Sequence, residues 1–291
     1  MPINLIGEDV LINREVRMQV QKTGGSTFPV GSLRRANHEL QKILEKLSTA
    51  QRINRASDDA AGLAVSEQLR SNIRGFKVAT QNISDAMSAL NITDGVANQS
   101  TAILQRQREL AIQSRNDTLS DKNRAALDSE YQQLTKELDR IADGTKFNKQ
   151  DLTSGQGLAS GNAVIQSGPE SDNQMTLPEI DIRSASLGVQ PTSIATSAGA
   201  NQAIEALDNA LGSINSQRST VGATVNRLYS SVNNLNVAMV NTQAAESVLR
   251  DEDMAKGLME LTQARLLQES STTAFARFNE INKSYVRSLI G

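Results

Sequence analysis

Apolar residues recur at alternating spacings of four and three in two stretches of the chain, one on each side of a polar middle. In the C-terminal stretch the positions are Val221, Val225, Leu228, Val232, Leu235 and Met239. In the N-terminal stretch they are Phe76, Thr80, Ile83, Met87, Leu90, Asp94, Ala97, Thr101 and Leu104. Such a repeat averages about 3.5 residues per turn, so the line stays on one side only where helices wrap around each other with a left-handed twist. The pattern predicts long paired helices that bury a narrow seam.

The composition favours thin helical bundles and excludes several classes of function. Of the 291 residues 3% are aromatic and 38% hydrophobic, which is lean for a thick globular core. The chain has no cysteine and one histidine, which excludes thiolate metal sites, cysteine nucleophiles and histidine-rich acid–base clusters. The net charge is −2 with both signs interspersed, unlike the basic surface that binds nucleic acid. We expect a protein without enzymatic activity, metal or cofactor, whose partner is another protein rather than nucleic acid.

The first residues do not resemble a signal peptide. Glu8 and Arg14 interrupt the start of the chain, which lacks a basic segment followed by an apolar core of about 7–15 residues. No segment approaches the roughly 20 apolar residues that span a bilayer. We therefore expect no membrane insertion, and either a cytoplasmic protein or one that leaves the cell without a cleaved signal. Residues 1–31 predict a short amphipathic helix and then a loop, because Pro29 and Gly31 interrupt a helix.

Start and stop signals predict three helices in the first half of the chain. Leucines at helical spacing predict a helix from residue 33 to about residue 50. Ser57 and Asp58 predict the N-cap of a helix that continues to about residue 115. Ser120 predicts the cap of a third helix, which Gly144 ends.

The composition changes after this point, and the segment of about residues 145–200 is rich in Gly, Ser, Thr and Pro. Three short β-type runs within it, residues 163–166, 175–177 and 180–182, predict a small hairpin or two. Two more helices are predicted beyond it, at residues 203–248 and 251–289.

These elements predict a mainly α fold. Its N- and C-terminal arms form an elongated antiparallel helical bundle or coiled coil, with a small β-hairpin region in the middle. We predict two domains. Residues 1–56 and 251–291 supply terminal helices and a connecting segment, and residues 57–250 form a rod domain that carries the hairpin insert.

Several motifs, in the same order, resemble those of bacterial flagellin. The blocks Leu47-Ser-Thr-Ala-Gln-Arg-Ile-Asn54 and Ser57-Asp-Asp-Ala-Ala-Gly-Leu-Ala-Val-Ser66 are similar to the family's LSSG(L/K)RIN and DDAAGLAIS. Within these blocks the matching residues near the helix start are Arg52, Asn54, Asp58, Asp59 and Gly62. Further matches are Asn82-Ile-Ser-Asp85, the segment 105–113, Thr145-Lys-Phe-Asn148, Asn226-Arg-Leu228 and Asn233-Asn-Leu235. The resemblance covers roughly residues 33–160 and 200–291.

The resemblance implies a structural subunit of the bacterial flagellar filament, which serves motility. Such a subunit is secreted without a cleaved signal peptide and self-assembles outside the cell into a helical homopolymer through its terminal helices. An export chaperone, hook-associated proteins and cap proteins are its implied partners. Because only a short segment separates the matching arms, the chain resembles a short form of the family, without large variable outer domains.

Other interpretations remain open beside this one. A hook–filament junction or cap-associated protein would share the terminal motifs, and a non-flagellar coiled-coil scaffold or adhesin would share the helical pattern. A carboxylate-only enzyme site is conceivable where acidic residues cluster in the insert, although solubilising acids on a hairpin explain them equally well. These residues are Glu170, Asp172, Glu179 and Asp181.

The chain departs from the family pattern in three places. Ala50 occupies the position of the family's glycine after LSS, which predicts an altered bend between the terminal helices and the rod. Residues 1–31 do not resemble the usual uninterrupted N-terminal helix, and the segment 275–283 is bulkier and more charged than the family's sequence. Since both ends differ together, we expect a matched variant of the inner core.

Three residues are candidates for a surface site by position in the family. Arg106, Leu110 and Glu130 correspond to the surface that packs against the neighbouring subunit and that Toll-like receptors of vertebrate hosts recognise. The alternative is a solvated helix face with Leu110 in a bundle contact. Gln107 replaces an apolar residue of the family, which weakens the case for a host innate immune receptor as partner.

The remaining candidates are the residues of the rod seam. They are Ile83, Met87, Leu90 and Leu104 on the N-terminal side, with Val225, Leu228, Val232 and Leu235 on the C-terminal side. Asp94 and Thr101 interrupt the apolar line, and polar seam residues usually fix the register of paired helices. The alternative is that the line drifts to the surface at these two positions.

Overall fold

The computed structural model describes residues 27–290, which are mostly helical, with antiparallel helix packing and small two-stranded sheets. The α-helices of this part are α1 Thr27–Thr49, α2 Ala60–Ser114, α3 Asp121–Gly144, α4 Ser197–Arg250 and α5 Met254–Ile290. The strands lie between α3 and α4 and are β1 Lys146–Phe147, β2 Gln150–Asp151, β3 Val164–Gln166 and β4 Gln174–Thr176. The predicted fold class, a mainly α fold with helical arms around a small β region, is confirmed.

The first described helix begins earlier than predicted. Pro29 and Gly31, which were expected in a loop, lie near the start of α1. Proline is tolerated there because the first N–H groups of a helix have no partner within the helix. The helix predicted in the first part of the chain, and the prediction that no leader is present, concern residues 1–26 and lie outside the described residues.

The chain divides into two compact units. The described part of the terminal unit comprises residues 27–67 and 245–290, and the central unit comprises Gln68–Ala244. The boundaries fall within α2 and α4, so each of these helices contributes residues to both units.

In the terminal unit, α1 and α5 pack antiparallel with few buried side chains. Asn37, early in α1, accepts a hydrogen bond of 2.7 Å from the Gln268 side chain, whereas Ile43, later in α1, packs with Leu261 and Ala264, which come earlier in α5. Ile43, Leu261 and Ala264 are the buried members of this cluster, and Leu40 and Leu47 pack against them.

The central unit has a much larger apolar core, to which α2, α3, α4 and the segment between the sheets and α4 all contribute. Its largest fully buried side chains are Tyr131, Ile83, Leu104, Leu110, Leu138, Ile182, Ile194, Leu207, Ile214 and Leu228. The helices of this unit therefore pack around one continuous hydrophobic cluster.

The two sheets are short antiparallel hairpins. In the first, Lys146 pairs with Asp151 and Phe147 with Gln150. The two turn residues between them have positive φ, 49° and 66°, as expected for a two-residue turn that matches the twist of the strands. In the second, β3 pairs with β4. The run predicted at residues 180–182 is not a strand, although Asp181 forms an isolated bridge with Ser154 and its neighbours make backbone hydrogen bonds with residues 153–159.

Candidate functional site

The predicted seam residues lie in one hydrophobic cluster of the central unit. Ile83, Leu90, Leu104 and Leu228 are almost fully buried, and Met87, Val225, Val232 and Leu235 pack against them partly buried. Two ion pairs give the direction of the helices. Arg218 Nε lies 2.9 Å from an Asp94 oxygen, and further along α2 Arg108 Nε lies 2.6 Å from Asp208, which comes earlier in α4. The seam therefore joins α2 to an antiparallel α4.

The predicted seam on α2 consists of two parallel lines of positions. The line of Ile83, Leu90 and Leu104 is buried, but the buried residues of the other line lie one position before the predicted ones. Thr80, Asp94 and Thr101 are only partly buried, and the preceding positions are buried instead. This line consists of Ala79, Ala86, Thr93, Ser100, Gln107 and Ser114. Most of its members are small or polar, so the apolar pattern could not reveal it. Small side chains also let neighbouring helices approach closely.

Gln107 is the largest polar residue on this line and is completely buried. Its amide nitrogen donates to the Thr135 hydroxyl at 2.8 Å and to the Tyr131 carbonyl at 3.3 Å, both on α3. Its amide oxygen has no hydrogen-bond partner among the described residues, and neither has the Ser100 hydroxyl one heptad earlier. Orphaned buried acceptors of this kind usually cost about 1–3 kcal/mol each.

An irregular strap, residues 183–196, is fixed along α3 by two aspartates. Asp128 accepts hydrogen bonds from the Ser193 hydroxyl at 2.9 Å and the Ile194 amide at 2.7 Å. Asp139 accepts from the hydroxyl and the amide of Ser184 at 2.7 and 2.8 Å. Because the strap also buries apolar side chains in the core, it acts as a further wall of the central unit without regular secondary structure.

The second hairpin rests on α2 where that helix has no side chain. A Cβ on Gly75 would lie 2.7 Å from the Cβ of Pro169, and the Asn82 side chain donates to the Gln166 carbonyl at 3.3 Å. The mid-helix glycine, which weakens a helix in isolation, makes room here for the turn between β3 and β4.

Of the three candidates for the surface site, the structure brings two together on the surface. Arg106 donates through Nε and Nη2 to one carboxylate oxygen of Glu130, at 3.2 and 2.9 Å, and through Nη1 to Glu109. These hydrogen bonds, the one to Glu130 above all, raise the pKa of Arg106 above its usual value. Leu110 is only 1% exposed and belongs to the hydrophobic core. The exposed part of this site is therefore the ion pair between α2 and α3.

In the terminal unit, the motif at the start of α2 forms a compact cap. The N-cap is Asp59 rather than the predicted Ser57 or Asp58, and its carboxylate accepts from the Gly62 amide at 2.9 Å. Ile53 is buried beneath this turn, and a Cβ on Gly62 would lie 2.9 Å from its Cδ1 atom as well as against the Asp59 carboxylate. Glycine is required at this position by the close approach of both side chains.

Asp58 organises the loop that precedes this cap. Its carboxylate accepts from the backbone amides of Asn54 at 3.2 Å and Arg55 at 3.0 Å, and it lies 3.8 Å from the Lys42 ammonium group. The hydrogen bond from the Arg55 amide lowers the pKa of Asp58. Burial raises this pKa, but the hydrogen bond from the Asn54 amide and the charges of nearby lysines lower it further, so that it lies below its usual value.

Arg52 bonds to the end of α4. Its guanidinium donates to the Leu249 carbonyl and its amide donates to the Arg250 carbonyl, both at 2.7 Å. Asn54, the neighbouring motif residue, donates to the Thr49 hydroxyl at 2.7 Å. The motif residues of this region thus hold a loop and two helix ends in place.

The helix pair of the terminal unit leaves a broad apolar surface uncovered. On α5, Met259 and Leu266 are 65% and 67% exposed, and one heptad separates them. The other exposed large apolar side chains among the described ones of this pair are Leu44, Met254, Leu258, Leu267 and Ile281. Far more large apolar side chains are therefore exposed than are fully buried among the described side chains of the pair.

Among the acidic residues of the insert, Asp181 is bonded to groups of the same segment. Burial would raise the pKa of Asp181, but hydrogen bonds from the Arg183 guanidinium, the Ser186 hydroxyl and the Arg183 amide outweigh it and hold the pKa below its usual value. Within residues 27–290, no group of three or more histidine or carboxylate side chains could hold a metal. In the same range, no helix combines the length and the apolarity needed to cross a bilayer.

Comparison with known proteins gives consistent matches to one family. The profile of the bacterial flagellin N-terminal helical region matches residues 30–157, and that of the bacterial flagellin C-terminal helical region matches residues 204–289. A flagellin of Halalkalibacterium halodurans is 40% identical over 242 residues, which is 82% of this chain and 88% of that protein. A flagellar filament 31.3 kDa core protein of Treponema maltophilum is 39% identical over 251 residues, with the same coverages of 82% and 88%.

A solved structure shows that the fold is shared more widely. It is described as a flagellar hook-associated protein of Vibrio parahaemolyticus, with a TM-score of 0.56 over 66% of this chain and 99% of that one. Its sequence identity is only 14%, so it bears on the fold alone. The family profiles and the close relatives, which span both helical arms, establish that this chain belongs to the bacterial flagellin family.

Proposed function

We propose that this chain is the structural subunit of a bacterial flagellar filament and polymerises through its terminal helices. The observation that carries the proposal is the apolar surface of α1 and α5, centred on Met259 and Leu266. Burying one such side chain contributes about 1.5–3 kcal/mol, so neighbouring subunits that cover this surface would stabilise a polymer. The names of the close relatives, flagellin and flagellar filament core protein, support the same function.

The division of the chain fits different roles for its parts in such a filament. The terminal helices, predicted as residues 1–56 with 251–291, form the inner layer and line the channel. The central unit makes up most of the predicted rod, residues 57–250, and carries the subunit's own stability. The filament lies outside the cell as part of the flagellum and serves motility.

The proposal can be tested with two double variants of α5. Met259→Gln with Leu266→Gln makes the outward face polar, and we expect an unchanged subunit fold but no filaments in seeded growth assays followed by electron microscopy. Met259→Leu with Leu266→Met keeps the face apolar and serves as the matched control, which should polymerise normally. Filaments of normal length from the glutamine variant would contradict the role of this surface.

A deletion tests the same mechanism on a larger scale. Removal of residues 252–291 should abolish filament growth and leave the cooperative unfolding of the central unit intact, because the large apolar cluster lies outside the deleted segment. Polymerisation of the truncated protein would show that α5 is not required.

We also propose that Arg106 and Glu130 contact a neighbouring subunit. Both side chains are about half exposed, and their ion pair lies on the surface of two helices of the central unit. Arg106→Glu should slow filament growth, and Arg106→Glu with Glu130→Arg should not restore it, because the swap rebuilds the ion pair within the subunit but inverts the charges that face the neighbour. Full restoration would contradict the contact. Because Leu110 is buried, recognition by a host innate immune receptor would depend on the two charged residues, and a receptor-reporter assay on the same variants tests it.

The export chaperone, the hook-associated proteins and the cap protein are proposed as partners from the family alone. A hook–filament junction or cap-associated protein remains the second candidate within the flagellum. Growth of long filaments from the purified chain on seeds of its own fragments distinguishes the bulk polymer from these proteins, which do not extend a filament.

A further inference from the structure

The segments 50–54 and 249–252 of the terminal unit form one hydrogen-bonded joint. The Glu252 amide donates to the Ala50 carbonyl at 3.1 Å, and Gln51 and Asp251 form an isolated antiparallel bridge. The Arg250 guanidinium donates to the Gln51 side chain at 3.2 Å and to Glu67 at 2.7 Å. Segments far apart in sequence are thus bonded at the point where α1 ends and α5 is about to begin.

The joint completes the ends of helices on both sides. The last carbonyl groups of a helix have no partner within it, and Arg52 supplies donors to two of them, those of Leu249 and Arg250 in α4. In return, Glu252 supplies a donor to Ala50, the residue after α1. Each arm of the chain therefore satisfies backbone groups of the other, and neither set of bonds forms unless both arms are in place.

Ala50 holds this joint in a strained conformation. Its φ is 53°, in the left-handed region, and the Gln51 amide donates to the Lys46 carbonyl at 3.2 Å in the manner of a Schellman helix end. Glycine adopts this conformation freely, but for an alanine its population is reduced by about five- to thirty-fold. If Ala50 relaxed to the right-handed helical region, α1 would continue beyond Thr49 and the bonds to residues 250–252 would be lost.

We propose that this joint is a conformational device that closes when both arms are docked, and that Ala50 keeps its closed and open forms near balance. The inference rests on the proposed function, since the closed joint is the form that adds to a filament. Arg52 is a positioning residue: it sets the end of α4, and through the next residues the start of α5, whose outward face polymerises.

The first experiment relieves the strain. Ala50→Gly should slow amide hydrogen exchange in peptides covering residues 47–54 and 248–254 of the unassembled subunit by about five-fold. The critical concentration for seeded filament growth should fall by less, at most about two-fold, because near balance about half of the subunits are already closed. Lys149→Gly is the matched control, because Lys149 also has a left-handed φ, 66°, but lies in the β1–β2 turn of the central unit. It should change neither quantity.

The second experiment weakens the bonds between the arms. Arg52→Gln removes the guanidinium that reaches Leu249 and should speed exchange in residues 248–254 and raise the critical concentration. Arg55→Gln is its control, since Arg55 is exposed and its guanidinium forms an ion pair with Glu45 on α1. Circular dichroism should show the same helix content in both variants.

The outcomes separate the device from the filament function. If Ala50→Gly leaves exchange unchanged, the joint is not strained and the proposal is wrong. If exchange slows but the critical concentration stays constant or rises, closing of the joint does not prepare the subunit for assembly, and the proposal is again overturned. If the unmodified chain forms no filaments on any seed, the proposed function fails instead, and the exchange measurement alone decides whether the joint is strained.

Discussion

The central unit and the α1–α5 pair are built from similar helices but bury very different cores. Among the described residues, the central cluster contains 24 buried side chains, whereas the cluster between α1 and α5 contains three. The central unit surrounds its core with three helices, a strap and two hairpins, while the buried residues of the terminal cluster come from α1 and α5 alone among the described residues. Most helical stability in proteins comes from packing an apolar face rather than from propensity. From this difference we expect the central unit to supply most of the subunit's stability and the terminal pair to gain stability when its exposed apolar side chains are covered.

The largest expected effect comes from truncating a leucine in the larger of the two cores. Leu104 is completely buried in the central cluster, and Leu104→Ala should lower the free energy of unfolding by about 3–5 kcal/mol through lost burial and the cavity left behind. Leu261→Ala, in the thin terminal cluster, should cost about 1–2 kcal/mol, because fewer neighbours surround it. Urea denaturation of both variants measures the difference. Equal losses would mean that the terminal pair has a core as firm as that of the central unit.

A pair of glycine variants gives the next largest effect and locates the most tightly packed point of the terminal unit. Gly62→Ala should cost about 1–3 kcal/mol, because the added methyl group meets Ile53 and the Asp59 carboxylate and breaks the cap of α2. Gly95→Ala is the control in the central unit, where a Cβ would meet nothing within 4 Å. It should stabilise the protein by about 0.5–1 kcal/mol through helix propensity alone. Thermal unfolding checks both signs, and a stabilising Gly62→Ala would contradict the cap.

A smaller change should make the central unit more stable than it already is. Gln107→Met replaces a buried amide whose oxygen lacks a partner among the described residues, and Thr135 keeps its hydrogen bond to the Tyr131 carbonyl. We expect a gain of about 1 kcal/mol. Gln132→Met, on the neighbouring surface of α3, is a contrasting change because its amide donates to the Thr192 carbonyl. A loss of stability in Gln107→Met would show that the two donated bonds outweigh the orphaned oxygen.

The smallest effect concerns acid, and it compares one carboxylate from each unit. Asp58 and Asp181 both have folded-state pKa values below their usual value, for the reasons given above. Each therefore stabilises the fold above about pH 4, and this stabilisation is lost as the pH falls through the lower folded-state pKa. Asp181→Asn should flatten the acid limb of a stability–pH curve more than Asp58→Asn, because the Arg183 guanidinium bonds to both carboxylate oxygens of Asp181, whereas the Lys42 ammonium group lies 3.8 Å from Asp58. The reverse order would place the acid sensitivity in the terminal unit.

The parts of the fold that could be predicted from the sequence have local signals. Ser120 caps α3 as expected, with its hydroxyl accepting from the Asn123 amide, and that helix ends at Gly144. Apolar spacing was enough to identify the line of Ile83, Leu90 and Leu104. These features depend on neighbouring residues or on the helical period, and both can be read directly from a single chain.

The parts that could not be predicted depend on contacts between distant segments. Ser100 and Gln107 look like surface residues in the sequence, and only the arrangement of three helices shows that they are buried. Asp128 and Asp139 look like ordinary charges of a helix, although each fixes two groups of the strap. The cap at Asp59 rather than Asp58 depends on how the preceding loop turns, since Asp58 is already bonded to that loop.

The antiparallel pairing of the arms has a consequence for the order in which the chain can fold. The Asn37–Gln268 hydrogen bond spans 231 positions, and the Arg250–Glu67 and Arg218–Asp94 ion pairs span 183 and 124. Chains with such non-local contacts fold slowly, because the entropy of closing a long loop is lost before any of these contacts can stabilise the fold. When a ribosome has made the first half of this protein, the residues that pair with it have not yet been translated. The N-terminal arm must therefore remain without these partners until synthesis is nearly complete, and folding of the terminal unit is an event of the finished chain.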